Sequence, residues 1–175
     1  MTDVPDGSAF GRALLAETKR RLIEESQPRI HKCLAQLTEE EIWHRPNAET
    51  VSVGNLVLHL CGNVRQYILH ALGGEPDRRT RQVRQQEFDE PGPIPAAELL
   101  RQLDDLMTEV DAALDRIDPA SLLEVRRVQV FDESKLSILV HVVEHFSYHV
   151  GQITWFVKSK KAIDLGYYAH VTLPD

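Results

Sequence analysis

The sequence predicts an all-α protein, a four-helix bundle with short extra helical turns, on three observations. Four stretches repeat apolar residues at three-and-four spacing, the pattern of a helix that buries one face. Proline, glycine and capping residues punctuate the gaps between those stretches. Only Val125 to Phe131 alternates enough for a brief extended segment, and with no clear partner strand it defines no sheet.

Ala9 to Leu37 reads as the first helix, with Phe10, Leu14, Leu15, Leu22, Ile23, Ile30 and Leu34 on its apolar face. Pro28 removes a backbone donor inside it and should kink or split it. Thr38 followed by Glu41 is a capping-box signal for a short helical turn to His44, which Pro46 helps to end. Ser52 can cap a second helix from Val53 to Leu72, with Val53, Leu56, Leu60 and Tyr67 inward and Gly73 and Gly74 as its stop. Glu75 to Pro95 reads as a polar connection holding Arg78, Arg79, Arg81 and Arg84, then Glu87, Asp89 and Glu90. Pro95 suits the first turn of a third helix, along which Leu99, Leu103, Leu106, Val110, Leu114 and Ile117 recur. Ser134 opens the last long helix, whose stripe of Leu136, Leu139, Val143, Phe146, Val150, Ile153 and Val157 ends near Lys160 and Lys161.

The 175 residues suit one domain, 1–175, closing in a tail over 164–175 that holds Tyr167, Tyr168, His170 and Asp175. With 42% hydrophobic and 27% charged residues the composition is that of an ordinary globular chain. No apolar run approaches the ~20 residues of a membrane span. Met1 to Ser8 lacks the basic start and apolar stretch of a secretory signal, so a cytoplasmic location and no membrane partner are expected. A net charge of −7 repels phosphate backbones, which excludes nucleic acid as a partner. Cys33 and Cys61 sit in apolar helical patterns outside any C-x-x-C pair and read as buried free thiols.

The chemistry lies in the histidines. Residues four apart on a helix differ by about 40° in direction, so His145 and His149 project from one face and can grip a single ion. His59 lies between Leu56 and Leu60 on the inner side of the second helix, where a bundle would turn it toward the last one. Neutral imidazoles suit a divalent ion such as zinc, nickel, cobalt or iron(II), zinc or nickel first among them. The competing reading is that these are core histidines satisfied by hydrogen bonds. His141, Glu144 and His145 also match the H-x-x-E-H of inverted zinc peptidases, but no Glu follows Glu144 to supply the ligand that pattern needs. A di-iron carboxylate bundle needs two Glu-x-x-His motifs, and only Glu41 to His44 has that spacing.

The strings Ser52-Val-Gly-Asn-Leu-Val-Leu-His59-Leu60 and His145-Phe-Ser-Tyr-His149-Val-Gly151-Gln152-Ile153 resemble the DinB-like proteins, metal-binding four-helix bundles that include the YfiT-like group. The resemblance runs from the first helix to about Lys160. It implies that His59, His145 and His149 bind a divalent metal, that the activity is thiol-dependent transfer or isomerisation with a low-molecular-weight thiol, and that the chain can pair as a homodimer. An open position on such an ion can take a water or a thiol and lower its pKa. His141 and Asn63, each one turn from a ligand, are placed to orient ligands or carry protons, and each can equally be structural. Arg78 and Arg81 of the polar connection are candidates to hold the carboxylate of a thiol or of a small-molecule substrate. Two function classes follow: a metal-dependent thiol transferase or small hydrolase, and a non-catalytic, stress-associated bundle whose ion pins two helices together.

Overall fold

The computed structural model describes residues 7–169 and 171–172. The reading of Met1 to Asp6 as no signal, and the tail residues His170 and Asp175, lie outside the described residues.

Helix α1 (Gly7–Lys19) runs through a π-helical turn (Arg20–Ser26) into α2 (Gln27–Leu34). Pro28 has no N–H for the i−4 carbonyl, and the wider turn before it absorbs that loss. Lys19 and Gln27 keep right-handed helical dihedrals, so the expected split is a change of hydrogen-bond pattern and not a break in direction of winding. Along this rod Leu22, Ile30 and Leu34 are buried, whereas Phe10 is 59% exposed and does not join the core.

Thr38 and Glu41 form a reciprocal cap at the head of α3 (Glu39–Trp43). Ser52 and Asn55 do the same for α4 (Val53–Val64): the Asn55 N–H donates to Ser52 Oγ at 3.1 Å and the Ser52 N–H to Asn55 Oδ1 at 3.1 Å. Helix α4 continues as a π-helical segment (Arg65–Leu72) and stops at Gly73 and Gly74, where a φ of +80° suits glycine.

The stretch expected to be a plain connection carries a helix, α5 (Arg81–Asp89), capped by Thr80. None of its residues is fully buried, so it lacks the apolar stripe by which the other helices announce themselves. Helix α6 (Ala96–Asp115) follows the expected pattern and buries Leu99, Leu103, Leu106, Val110 and Leu114. A second correction concerns the extended segment. Strand β1 (Val125–Val128) does have a partner, β2 (Phe131–Ser134), paired antiparallel from Val125↔Ser134 to Val128↔Phe131. The two-residue turn between them holds Gln129 at a φ of 54°, with none of the Gly, Asn or Asp that signals such turns in a sequence.

Ser134 caps α7 (Lys135–Lys161). The helix lies against α1, α2, α4 and both π-helical segments, while α6 covers α4, α2 and α1. Its buried stripe is Ile138, Leu139, Val142, Phe146, Val150, Ile153 and Val157, with Leu136 and Val143 only half-buried at its edge. These residues join Leu60, Ile68 and Leu106 in one apolar cluster, each large side chain worth roughly 1.5–3 kcal/mol once removed from water. Among the described residues no helix is long and apolar enough to cross a membrane. Both cysteines are free, Cys33 buried and Cys61 half-buried. Burial pushes the Cys61 thiol up to about 12 and raises that of Cys33, so neither is a ready thiolate.

Candidate metal centre

The reciprocal cap fixes the rotation of α4 about its axis, and with Leu56 and Leu60 turned inward His59 faces α7 at 3% exposure. There it meets His145 and His149, half-buried on one face of α7. The ligand atoms of the three imidazoles all lie within 4.8 Å of one another. His59 Nε2 and His145 Nε2 are 3.2 Å apart. Two nitrogens bound tetrahedrally to one zinc at 2.0–2.1 Å would stand roughly 3.3 Å apart, so this pair has the separation of co-ligands.

Each outer histidine has its second nitrogen engaged. His149 Nδ1 donates to Gln152 Oε1 at 2.7 Å, and His59 Nδ1 donates to Glu87 Oε2 at 3.0 Å. His59 Nδ1 also lies 3.1 Å from Arg79 Nη2, a donor that makes its shorter bond, 2.6 Å, to Glu87 Oε2. We assign the protons on the carboxylate and the amide oxygen, which can only accept: both Nδ1 atoms then carry hydrogen and both Nε2 atoms are bare. A carboxylate behind a histidine is the usual device for fixing a metal ligand's tautomer. Burial, together with neighbouring His149, His59 and His141, lowers His145 to about 3. Burial also lowers His149, against the Gln152 hydrogen bond, which acts to raise it. Both are neutral near pH 7, the form that binds metals.

Glu87 comes from α5 and is held by Arg79, which donates from Nε and Nη2 at 2.6 Å each. Burial acts to raise the Glu87 pKa, but the hydrogen bonds from Arg79 and His59 prevail and hold it below its ordinary value. Arg79 and Glu87 have side chains only 6% and 10% exposed. Arg79 also donates to Gln66 Oε1 at 3.1 Å. The pair can sit this close to α4 because position 62 is glycine: a Cβ there would stand 2.0 Å from Glu87 Oε1 and 2.8 Å from Arg79 Nε. Phe88 places its ring 4.6 Å from that of His59.

The remaining candidates take different places. Asn63 is buried with Oδ1 unpartnered, and His141 stacks on Tyr67 at 4.4 Å, 5.5 Å from the His145 ring, with Nε2 unpartnered. Arg78 is exposed at the rim of a cavity of about 560 Å³ that Arg79, Glu87 and Gln66 also line. Arg81 is exposed at the first residue of α5. Glu144 is exposed beside Leu14 and Glu17 of α1 and stands apart from the cluster. A family model described as a protein of unknown function, DUF1572, matches residues 9–174. The chain belongs to this family. No curated protein matches it. In this DUF1572 chain, Arg79, Glu87 and Gln152 complete the histidine cluster, and of the three only Gln152 stood in a motif that pointed to it.

Proposed function

We propose that this chain is a DinB-like four-helix bundle and a divalent-metal-dependent enzyme, a thiol-dependent transferase or small hydrolase acting on a small molecule. The observation that carries the reading is the convergence of three imidazoles, two with Nδ1 beside acceptors so that Nε2 is free. His59, His145 and His149 would hold the ion, with zinc or nickel the best match to an all-imidazole set. A metal bound there supplies Lewis acidity that lowers the pKa of a water or of a low-molecular-weight thiol. Glu87 holds the proton of His59 at Nδ1, and Gln152 holds that of His149. Asn63, buried, and His141, half-buried, lie along the same helices and serve as positioning groups, while Arg78 and Arg81 meet the anionic part of a thiol or substrate. The reading extends to a homodimer, as the resemblance implies, and to a cytoplasmic location.

A stabilising ion without catalysis is the rival. Among the described residues the cluster holds three ligands, and the nearby carboxylate of Glu87 is turned to Nδ1 of His59 and away from Nε2, which favours an open coordination position. The test is metal content by mass spectrometry on untagged protein beside His59→Ala and His149→Ala. Near one equivalent of a divalent metal, lost in both variants, supports the reading. Protein without metal, as stable in both variants as in wild type, overturns it.

A further inference from the structure

The seam between α4 and α7 does not end at the histidines. One turn before His59 lies Leu56, one turn after His149 lies Gln152, and both line a cleft of about 490 Å³. Its other walls include Val51 and Val53 from the entry to α4 and Trp155 and Phe156 from α7. Tyr148 also lines it and sets its ring edge-on to that of His149 at 5.0 Å. The cleft therefore shares two side chains, Tyr148 and Gln152, with the histidine cluster.

Three features of α7 make this face unlike a solvated helix surface. Positions 148, 151, 152, 155 and 156 fall at three-and-four spacing, a second stripe apart from the buried one through Phe146, Val150 and Ile153. Two large aromatic rings on it stand in the open, Tyr148 at 63% and Trp155 at 70% exposure. Between them sits Gly151 in the interior of a long helix, where glycine costs about 0.5–1 kcal/mol relative to alanine. A Cβ built at Gly151 meets nothing within 4 Å, so no contact inside the described chain requires glycine there. What the missing side chain does is leave room in the cleft.

Charge narrows the occupant. Among the described residues lining the cleft the one charged group is Glu49, and neither Lys nor Arg takes part. The arginines lie at the cavity on the other flank of the cluster, beside Glu87. A volume of this size belongs to the range of small-molecule sites, and its walls are mostly apolar.

Resting on the metal-enzyme reading, we infer that this cleft is the subsite for the uncharged aromatic or alkyl part of the small-molecule substrate, whose reacting end then lies against the histidine cluster. Gly151 sets the room available, and Tyr148 and Trp155 supply flat surfaces for an apolar group. Anionic groups are left to the arginine flank.

The test uses the full chain and N-phenyl-1-naphthylamine, an uncharged aromatic whose fluorescence rises in apolar surroundings, with metal content measured on every sample. Wild type should bind it at one equivalent. Gly151→Leu, which fills the cleft, and Trp155→Ala, which removes a wall, should each weaken binding tenfold or more. Both should keep the wild-type metal content, and Gly151→Leu should melt no lower than wild type. The inference is overturned if the dye does not bind, or binds both variants as tightly as wild type. It is also overturned if sedimentation shows that the two substitutions split a dimer whose interface occupies the cleft. Loss of metal from wild type with dye binding intact would instead sink the enzyme reading and leave an apolar binding cleft.

Discussion

Replacing Glu87 by Gln separates what this residue does for the fold from what it does for the proposed metal centre. The carboxylate has two partners, the Arg79 guanidinium at 2.6 Å and His59 Nδ1 at 3.0 Å, and both charged side chains are nearly excluded from water. Removing one charge of a buried pair costs about 3–5 kcal/mol, because the other is left without its partner. Removing the group behind a ligating histidine weakens metal affinity about 10- to 100-fold, or roughly 1–3 kcal/mol. Glu87→Gln should therefore lose stability in urea unfolding of the metal-free protein and lose affinity in a chelator competition with zinc. The double variant Glu87→Met with Arg79→Met removes the stranded charge and leaves no acceptor at position 87. It should recover most of the stability, as apolar replacements of buried pairs do, and recover none of the affinity. Full affinity in the double variant, which has no acceptor at position 87, would refute the assignment of Glu87 to the His59 proton.

Two further outcomes follow from the site. His145 titrates at about 3 in the folded chain against an ordinary value of 6.5, so below 6.5 the unfolded state binds the extra proton and stability falls as pH drops through that window. His149 acts in the same direction. Metal-free wild type should thus lose more stability between pH 7 and pH 5 than His145→Gln; equal losses in urea unfolding would contradict the buried, neutral imidazole. Gly62→Ala should push Glu87 off its place, weaken zinc binding about tenfold and lower the melting temperature, because the ~1 kcal/mol that alanine gains in helix propensity is smaller than the cost of disturbing a buried ion pair. Unchanged zinc affinity there would mean that the close approach at Gly62 is of no use to the metal centre.

The parts of this fold that were legible in its sequence are those that bury one face of a helix. Leu99 to Leu114 and Leu139 to Val157 repeat at the helical period because water is on one side and the core on the other. The caps at Thr38, Ser52 and Ser134 were legible because orphan N–H groups need acceptors at fixed offsets. Helix α5 has no such period: it touches the protein through Glu87 and Phe88 and is otherwise exposed, so its sequence looks like a solvated connection. That is also why the histidines were readable and their supporting pair was not. His145 and His149 share one helix face, and spacing alone reveals them. Glu87 lies 28 residues and Arg79 20 residues from His59, on a segment whose placement depends on a glycine one turn along α4. The hairpin escaped notice for the related reason that Gln129 carries a turn other residues usually make.

The hydrogen bonds of the cluster argue against satisfied core histidines. Glu87 keeps the His59 proton on Nδ1, so His59 Nε2 is bare and faces His145 Nε2 at 3.2 Å. Without a metal that contact is favourable only if His145 places its own proton between them, which leaves its Nδ1 as a buried atom with no partner. An unsatisfied buried group costs about 1–3 kcal/mol. With a metal both Nε2 atoms must be bare, so the His145 proton moves to Nδ1 and needs an acceptor. Two unpartnered polar atoms lie along the same seam: the acceptor Asn63 Oδ1, one turn after His59, and His141 Nε2, one turn before His145. One change of tautomer at His145 would therefore place a donor at Nδ1, on a seam that already carries the unpartnered Asn63 Oδ1, and that change is the one the proposed metal requires.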